Sequence, residues 1–231
     1  MKITKKGSLF VVEGTDCSGK DTQAKLLLER LIKEGLPAKM LSFPRYSQPT
    51  GRIVGECYLG RGNPSWFGNA TQVDPRIASL YYAADRLDES GNIKEGLERG
   101  TVYVANRYVE SNMGHQGGKL KGQERLDVIN LIDKLEYGLL GIPKPDSVVF
   151  LYMPHQVAAK LNKERGGIKD DHENDPDHLR NAEESYLQLA EMFGWIKIDC
   201  APDGTKKSLR SKEDIHEEIY SKLAPLLTQR S

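Results

Sequence analysis

The sequence is poor in cysteine: Cys17, Cys57 and Cys200 are odd in number and far apart. Such a set supplies neither a disulfide framework nor the close pairs of a zinc site, so a reduced, cytoplasmic chain is expected. No run of about eighteen apolar residues is available to cross a bilayer. The opening residues lead into a short apolar run of strand length, which does not resemble a secretory signal. Neither sign of charge is in excess, with 33 Lys plus Arg against 33 Asp plus Glu. A balanced chain has no overall pull toward nucleic acid or an anionic membrane, so neither is expected as a partner. Any affinity for anions must come from local clusters. Internal repeats, low-complexity tracts and linker-like stretches are also lacking. What remains is 231 residues, 38% hydrophobic and 29% charged, enough to build one sizeable domain across 1–231 with a proper core.

The apolar run from Ser8 to Val12 ends at Glu13-Gly14 and predicts a buried strand. Further strands are predicted at Ala38–Phe43, cut by Pro44, and at Thr101–Ala105, Ser147–Tyr152 and Trp195–Asp199. Helical spacing falls between them, over Lys20–Glu34, Pro75–Gly96, Glu124–Leu140, His155–Glu164 and His178–Phe193. A final helix is expected over Lys212–Leu227, and a short one over Gly51–Leu59 inside a stretch rich in Gly, Pro, Asn and Gln. Strands separated by helices imply parallel crossovers, hence an α/β three-layer fold with a five-stranded parallel sheet and helices on both faces.

The loop Gly14-Thr15-Asp16-Cys17-Ser18-Gly19-Lys20 has the spacing G-x-x-x-x-G-K, follows a strand and opens a helix. Glycines allow consecutive backbone N–H groups to turn inward around a phosphate, and the helix N-terminus adds its positive end. Lys20 is then placed to reach the outer phosphates of a nucleoside triphosphate. After the lysine this motif normally carries Ser or Thr, whose hydroxyl binds Mg²⁺; here Asp21 stands there, with Thr22 next. A carboxylate is a hard oxygen ligand and also suits Mg²⁺. The alternative is that Asp21 caps the helix or points away.

Arg45 follows the second strand and Arg107 the third. In an open parallel sheet these carboxyl ends border the ligand crevice. Two guanidiniums there suggest a second phosphate, which they match bidentately. Tyr82 and Arg86 share one helix face, either to stack on and hydrogen-bond a base or as an ordinary core tyrosine beside a surface Asp–Arg pair. The charged segment 163–177, with Gly166-Gly167, suits a lid that closes over phosphates.

These segments, in this order, resemble the thymidylate kinases of the P-loop nucleoside monophosphate kinase group. Glu13-Gly-Thr-Asp-Cys-Ser-Gly-Lys20 is similar to the family loop E-G-x-D-G-S-G-K, and Phe43-Pro-Arg-Tyr46 to its acceptor segment. Asp85-Arg86 resembles the D-R of the base-binding helix, Asn106-Arg-Tyr-Val-Glu-Ser-Asn112 the D-R-Y-x-x-S-N run, and Gly141-Ile-Pro-Lys-Pro-Asp146 the G-L-P-K-P-D segment. The resemblance implies transfer of the γ-phosphoryl group of ATP to dTMP with Mg²⁺, and a homodimer. It implies that Asp16 contacts the acceptor's 3′-hydroxyl, that Arg45 and Arg107 hold its phosphate and act in catalysis with Lys20, and that Phe43, Tyr46 and His115 also belong to the dTMP site. Tyr82 would stack on thymine, Arg86 would bond its edge, and Ser111 and Asn112 would flank it. Since Cys17 stands where some members carry arginine, Arg165 in the lid is implied as the catalytic arginine.

Three positions depart from the family pattern: Asp21, Asn106 for aspartate, and His115 for tyrosine. The first two exchange a carboxylate between neighbouring segments, which suggests that Asp21 takes over Mg²⁺ positioning. The third removes bulk beside the sugar's 2′ position and keeps dUMP and UMP as alternative acceptors. A P-loop protein that only binds or hydrolyses nucleotide is the other alternative, although no N-K-x-D guanine signature is present.

Overall fold

The computed structural model describes residues 6–15, 17–62, 64–165 and 176–228. Five parallel strands, β1 (Leu9–Gly14), β2 (Ala38–Ser42), β3 (Val102–Asn106), β4 (Ser147–Tyr152) and β5 (Ile196–Asp199), form one sheet in the order β2-β3-β1-β4-β5. The order sets β1 centrally and brings the ends of β2 and β3 to one side of the loop that follows β1. Parallel strands covered on both faces need continuous apolar runs. Accordingly Phe10 and Val12 point into one core and Leu9 and Val11 into the other.

The first core is closed by α1 (Lys20–Lys33), α6 (His155–Arg165) and α8 (Lys212–Thr228), through Ala24, Leu27, Leu31, Val157, Ile215 and Ile219. The second is closed by α3 (Pro75–Glu98), α4 (Val109–Gly118), α5 (Gly122–Ile132) and α7 (Pro176–Phe193), through Ile93, Met113, Ile129 and Leu189. Gly35, with φ of 83°, ends α1 as the sequence predicts.

Three elements differ from the sequence expectation. Helix α4 is not foreshadowed at all, because Gly114, Gly117 and Gly118 break any apolar period. Those glycines are what lets α4 lie against α7. A Cβ on Gly114 would sit 2.5 Å from the Tyr186 ring, and one on Gly118 2.9 Å from the Ala182 backbone. The helix expected at Glu124–Leu140 is α5 followed by a π-helical segment, Asp133–Leu139. The one expected at Gly51–Leu59 is the short α2 (Pro49–Arg52) running into a second π-helical turn, Ile53–Tyr58. Among the described residues no helix is long and apolar enough to cross a membrane.

Candidate active site

The loop after β1 closes on glycine for a steric reason. A Cβ on Gly14 would lie 2.5 Å from Ser18 Oγ and 2.6 Å from the Leu151 carbonyl oxygen. Cys17 and Gly19 take left-handed backbone conformations, with φ of 56° and 85°. Thr15 fastens the loop to the end of β4: its hydroxyl donates to the Met153 carbonyl at 2.8 Å and accepts from the Met153 N–H at 3.2 Å. Lys20 is buried and its ammonium donates to the Thr15 carbonyl at 2.8 Å, so it lies along the loop. Ser18 Oγ is buried without a hydrogen-bond partner. An inward-turned hydroxyl, a cation and a helix N-terminus form a receptacle for phosphate oxygens. Asp16 and the side chain of Arg165 lie outside the described residues, as does most of segment 163–177.

Beside this loop, at the ends of β2 and β3, is a cavity of about 250 Å³. Seven residues expected at an acceptor site line it: Phe43, Tyr46, Tyr82, Arg86, Arg107, Ser111 and His115. Its rear wall is organised by Glu13, the fully buried residue just before the loop. The Glu13 carboxylate accepts from the Tyr108 N–H at 2.9 Å, from the Ser111 hydroxyl at 2.8 Å and from the Tyr186 hydroxyl at 3.2 Å. One carboxylate thereby locks the start of α4 and the middle of α7 to the end of β1. Arg107, in a left-handed conformation with φ of 66°, places Nη1 3.0 Å from His115 Nε2 and 3.4 Å from Ser111 Oγ.

Several of the expected site residues have partners within the protein. Arg45 does not line the cavity. Its guanidinium is held by Asp85 at 3.1 Å, Glu89 at 2.7 Å and Asp88, all on α3, and its backbone N–H donates to Asp85 at 2.8 Å. Arg45 is a clasp between the end of β2 and α3. Arg86 lines the cavity but is only 1% exposed, and two of its nitrogens meet both oxygens of Glu136 while the third donates to the Tyr108 carbonyl. Burial works against its charge and Glu136 more than restores it. Asn112 stands behind the cavity, donating to Glu136 at 2.9 Å and to the Ser79 carbonyl at 3.2 Å. Asp21 is exposed and paired with Lys25 at 2.6 Å, its other oxygen 3.5 Å from Asn106 Nδ2. Thr22 is exposed on α1.

Two further residues have no forerunner in the sequence reading. Glu13 could have been suspected, because a carboxylate ending a buried apolar strand needs several donors. Arg61 lines the cavity from a Gly- and Pro-rich stretch that offers no periodic signal.

The family model for thymidylate kinase matches residues 12–219. The chain belongs to the thymidylate kinase family. It is 28% identical to the human thymidylate kinase over 217 residues, covering 93% of this chain and 89% of that one. It is 33% identical to a probable thymidylate kinase of Methanocaldococcus jannaschii over 94% of this chain and 96% of the relative. The solved thymidylate kinase of Candida albicans superposes with a TM-score of 0.74 at 20% identity, covering 95% of this chain and 92% of that one, and so shares its fold. Within this family, the chain's clasped Arg45 and its Asp21–Asn106 pairing are the features its sequence alone leaves unexplained.

Proposed function

We propose that the chain is a thymidylate kinase that transfers the γ-phosphoryl group of ATP to dTMP, giving dTDP and ADP. The observation that carries this reading is the adjacency of two sites: a phosphate loop at the end of β1 and a cavity entered by Arg107 beside it. A nucleotide switch has no use for the second. The acceptor's phosphate oxygen is already a nucleophile, so no base is needed. It attacks the γ-phosphorus in line while the bond to the β-bridging oxygen breaks and ADP leaves. The protein's part is positioning and charge compensation. Lys20 would follow the γ-phosphate, Arg107 would hold the acceptor phosphate, and Phe43, Tyr82 and the Arg86–Glu136 pair would shape the base pocket. Arg165, the last residue of α6, remains our candidate for the catalytic arginine.

The residues present also fit Mg²⁺. Asn106 Oδ1 is buried with no partner, next to the exposed carboxylate of Asp21. This ion takes one or two protein oxygens and completes its shell with water and phosphate. When bound it would neutralise charge developing on the phosphates. Ile77, Leu80 and Leu87 are exposed at 48%, 54% and 41% along one side of α3 and support pairing with a second copy. Three free cysteines, two of them buried, support a reducing compartment.

The test is ADP release from MgATP in the presence of dTMP, dUMP, UMP, other nucleoside monophosphates or no acceptor. Release that requires dTMP and is fastest with it supports the reading. Equal release without any acceptor would assign the chain to nucleotide hydrolysis instead.

A further inference from the structure

Two walls of the acceptor cavity meet away from the phosphate loop. Leu59 lines it just after the π-helical turn Ile53–Tyr58, and Tyr82 lines it from α3. The apolar cluster that joins these two pieces is Val54, Tyr58, Leu59, Ala70 and Ala78. It is small, and two of its members are alanines. Polar contacts must therefore contribute to holding the walls in place.

Lys119, at the end of α4, supplies them. Its ammonium donates to the Tyr58 hydroxyl at 3.0 Å, to the Ala70 carbonyl at 2.9 Å and to the Val73 carbonyl at 2.9 Å. A lysine has three N–H donors, so all three are spent on segment 58–73. The acceptors are neutral. Burial pushes the Lys119 pKa down to about 7, while Asp74, the N-cap of α3, favours the charge. A cation in such a place is tolerated because every donor is met.

Tyr58 carries the effect to the cavity. It is fully buried, and its own hydroxyl donates to the Ala70 carbonyl at 3.0 Å. Its ring stands edge-on to that of Tyr82, with 5.8 Å between centroids and 84° between planes. Leu59, the next residue along the chain, is buried against the same cluster. Lys119 itself is not part of the cavity lining.

We propose that Lys119 is a positioning residue for the nucleoside end of the acceptor: it fixes Tyr58, and through that ring sets Tyr82 and Leu59 against the substrate's base. The inference rests on the reading of the cavity as a nucleoside monophosphate site. Lys119→Met keeps the apolar stem and removes the donors. It weakens thymidine and dTMP alike by about tenfold, the equivalent of roughly one net hydrogen bond. ADP affinity stays unchanged, because the phosphate loop is fastened to β4 by Thr15 instead. Lys119→Arg keeps the charge on a planar fork that cannot converge on three acceptors, and recovers part of the loss. Tyr58→Phe keeps the ring and deletes only the hydroxyl, giving the same pattern with a smaller loss even where Lys119→Met does not fold.

Calorimetric binding of thymidine, dTMP and ADP to wild type and these variants at pH 6, below the Lys119 pKa, reads this directly, with melting temperatures alongside. A residue that serves stability alone lowers the melting temperature and leaves thymidine affinity within about threefold of wild type, and that result overturns the proposal. A loss confined to dTMP overturns it too, since the effect would then lie at the phosphate end, as does an equal loss for ADP. A wild type that binds neither thymidine nor dTMP overturns the proposal together with the reading of the cavity. One that binds both but does not phosphorylate dTMP overturns the kinase reading alone.

Discussion

Arg107 Nη1 lies 3.0 Å from His115 Nε2, and since a guanidinium can only donate, the imidazole nitrogen is the acceptor. His115 thus aims Arg107 into the acceptor cavity, with Ser111 as its second anchor and the edge of the His115 ring against Tyr186. His115→Phe removes the acceptor and is expected to raise the KM for dTMP about tenfold at neutral pH with a smaller change in kcat. His115→Gln keeps a side-chain acceptor and should recover part of the loss. A KM for dTMP unchanged in His115→Phe would contradict the assignment.

Asp21 and Asn106 touch across the mouth of the site, with 3.5 Å between Oδ1 and Nδ2. If a carboxylate has moved from one position to the other while keeping its task, Asp21→Ser loses activity and raises the Mg²⁺ concentration needed for half-maximal rate. Adding Asn106→Asp should restore much of both. Losses that simply add in the double variant would show that the two positions act independently.

Glu110, on the first turn of α4, is buried, and burial pushes its carboxyl up to about 7 even though the Tyr137 hydroxyl, 2.6 Å away, favours the charged form. The folded state keeps a proton that the unfolded chain releases near its ordinary value of 4.5. Stability from this group is therefore fully present below pH 4.5 and is lost as pH rises to 7. Glu110→Gln preserves the Tyr137 bond. It should match wild type in acid and exceed it by on the order of 2 kcal/mol above pH 7 in urea unfolding. A difference independent of pH would remove the linkage.

Gly114 marks the closest approach of α4 to the Tyr186 ring. Gly114→Ala forces that ring aside, and with it the hydroxyl that bonds Glu13. A destabilisation of about 1–3 kcal/mol is expected from overpacking, despite alanine's better helix propensity. Because Glu13 orders the acceptor wall, the KM for dTMP should rise as well. A Gly114→Ala protein as stable as wild type would mean that the helices can separate freely.

What the sequence made legible is local. Strand β1, the loop after it and α1 follow one another within 25 residues, so apolar runs and glycine spacing were enough to place them. The same holds for the crossover pattern that dictates a parallel sheet. What it hid is held by distant partners. Arg45 at a strand end looks the same whether it faces a phosphate or three carboxylates on α3, and only Asp85, 40 residues later, decides. Arg86 could be a base ligand or a surface helix residue, and its buried pairing stayed hidden because Glu136 lies 50 positions away. Helix α4 was masked by the glycines that its packing against α7 requires, and Arg61 by a stretch with no period.

Two phosphate sites facing one another at the ends of β1 and β3 should give transfer and no hydrolysis. Phosphorus NMR of the protein with MgATP and dTMP tests it most directly, because it identifies the product as well as the rate. Stoichiometric dTDP and ADP are expected with no free phosphate, and no turnover is expected when dTMP is replaced by thymidine. Accumulation of inorganic phosphate at the same rate with or without dTMP would contradict it.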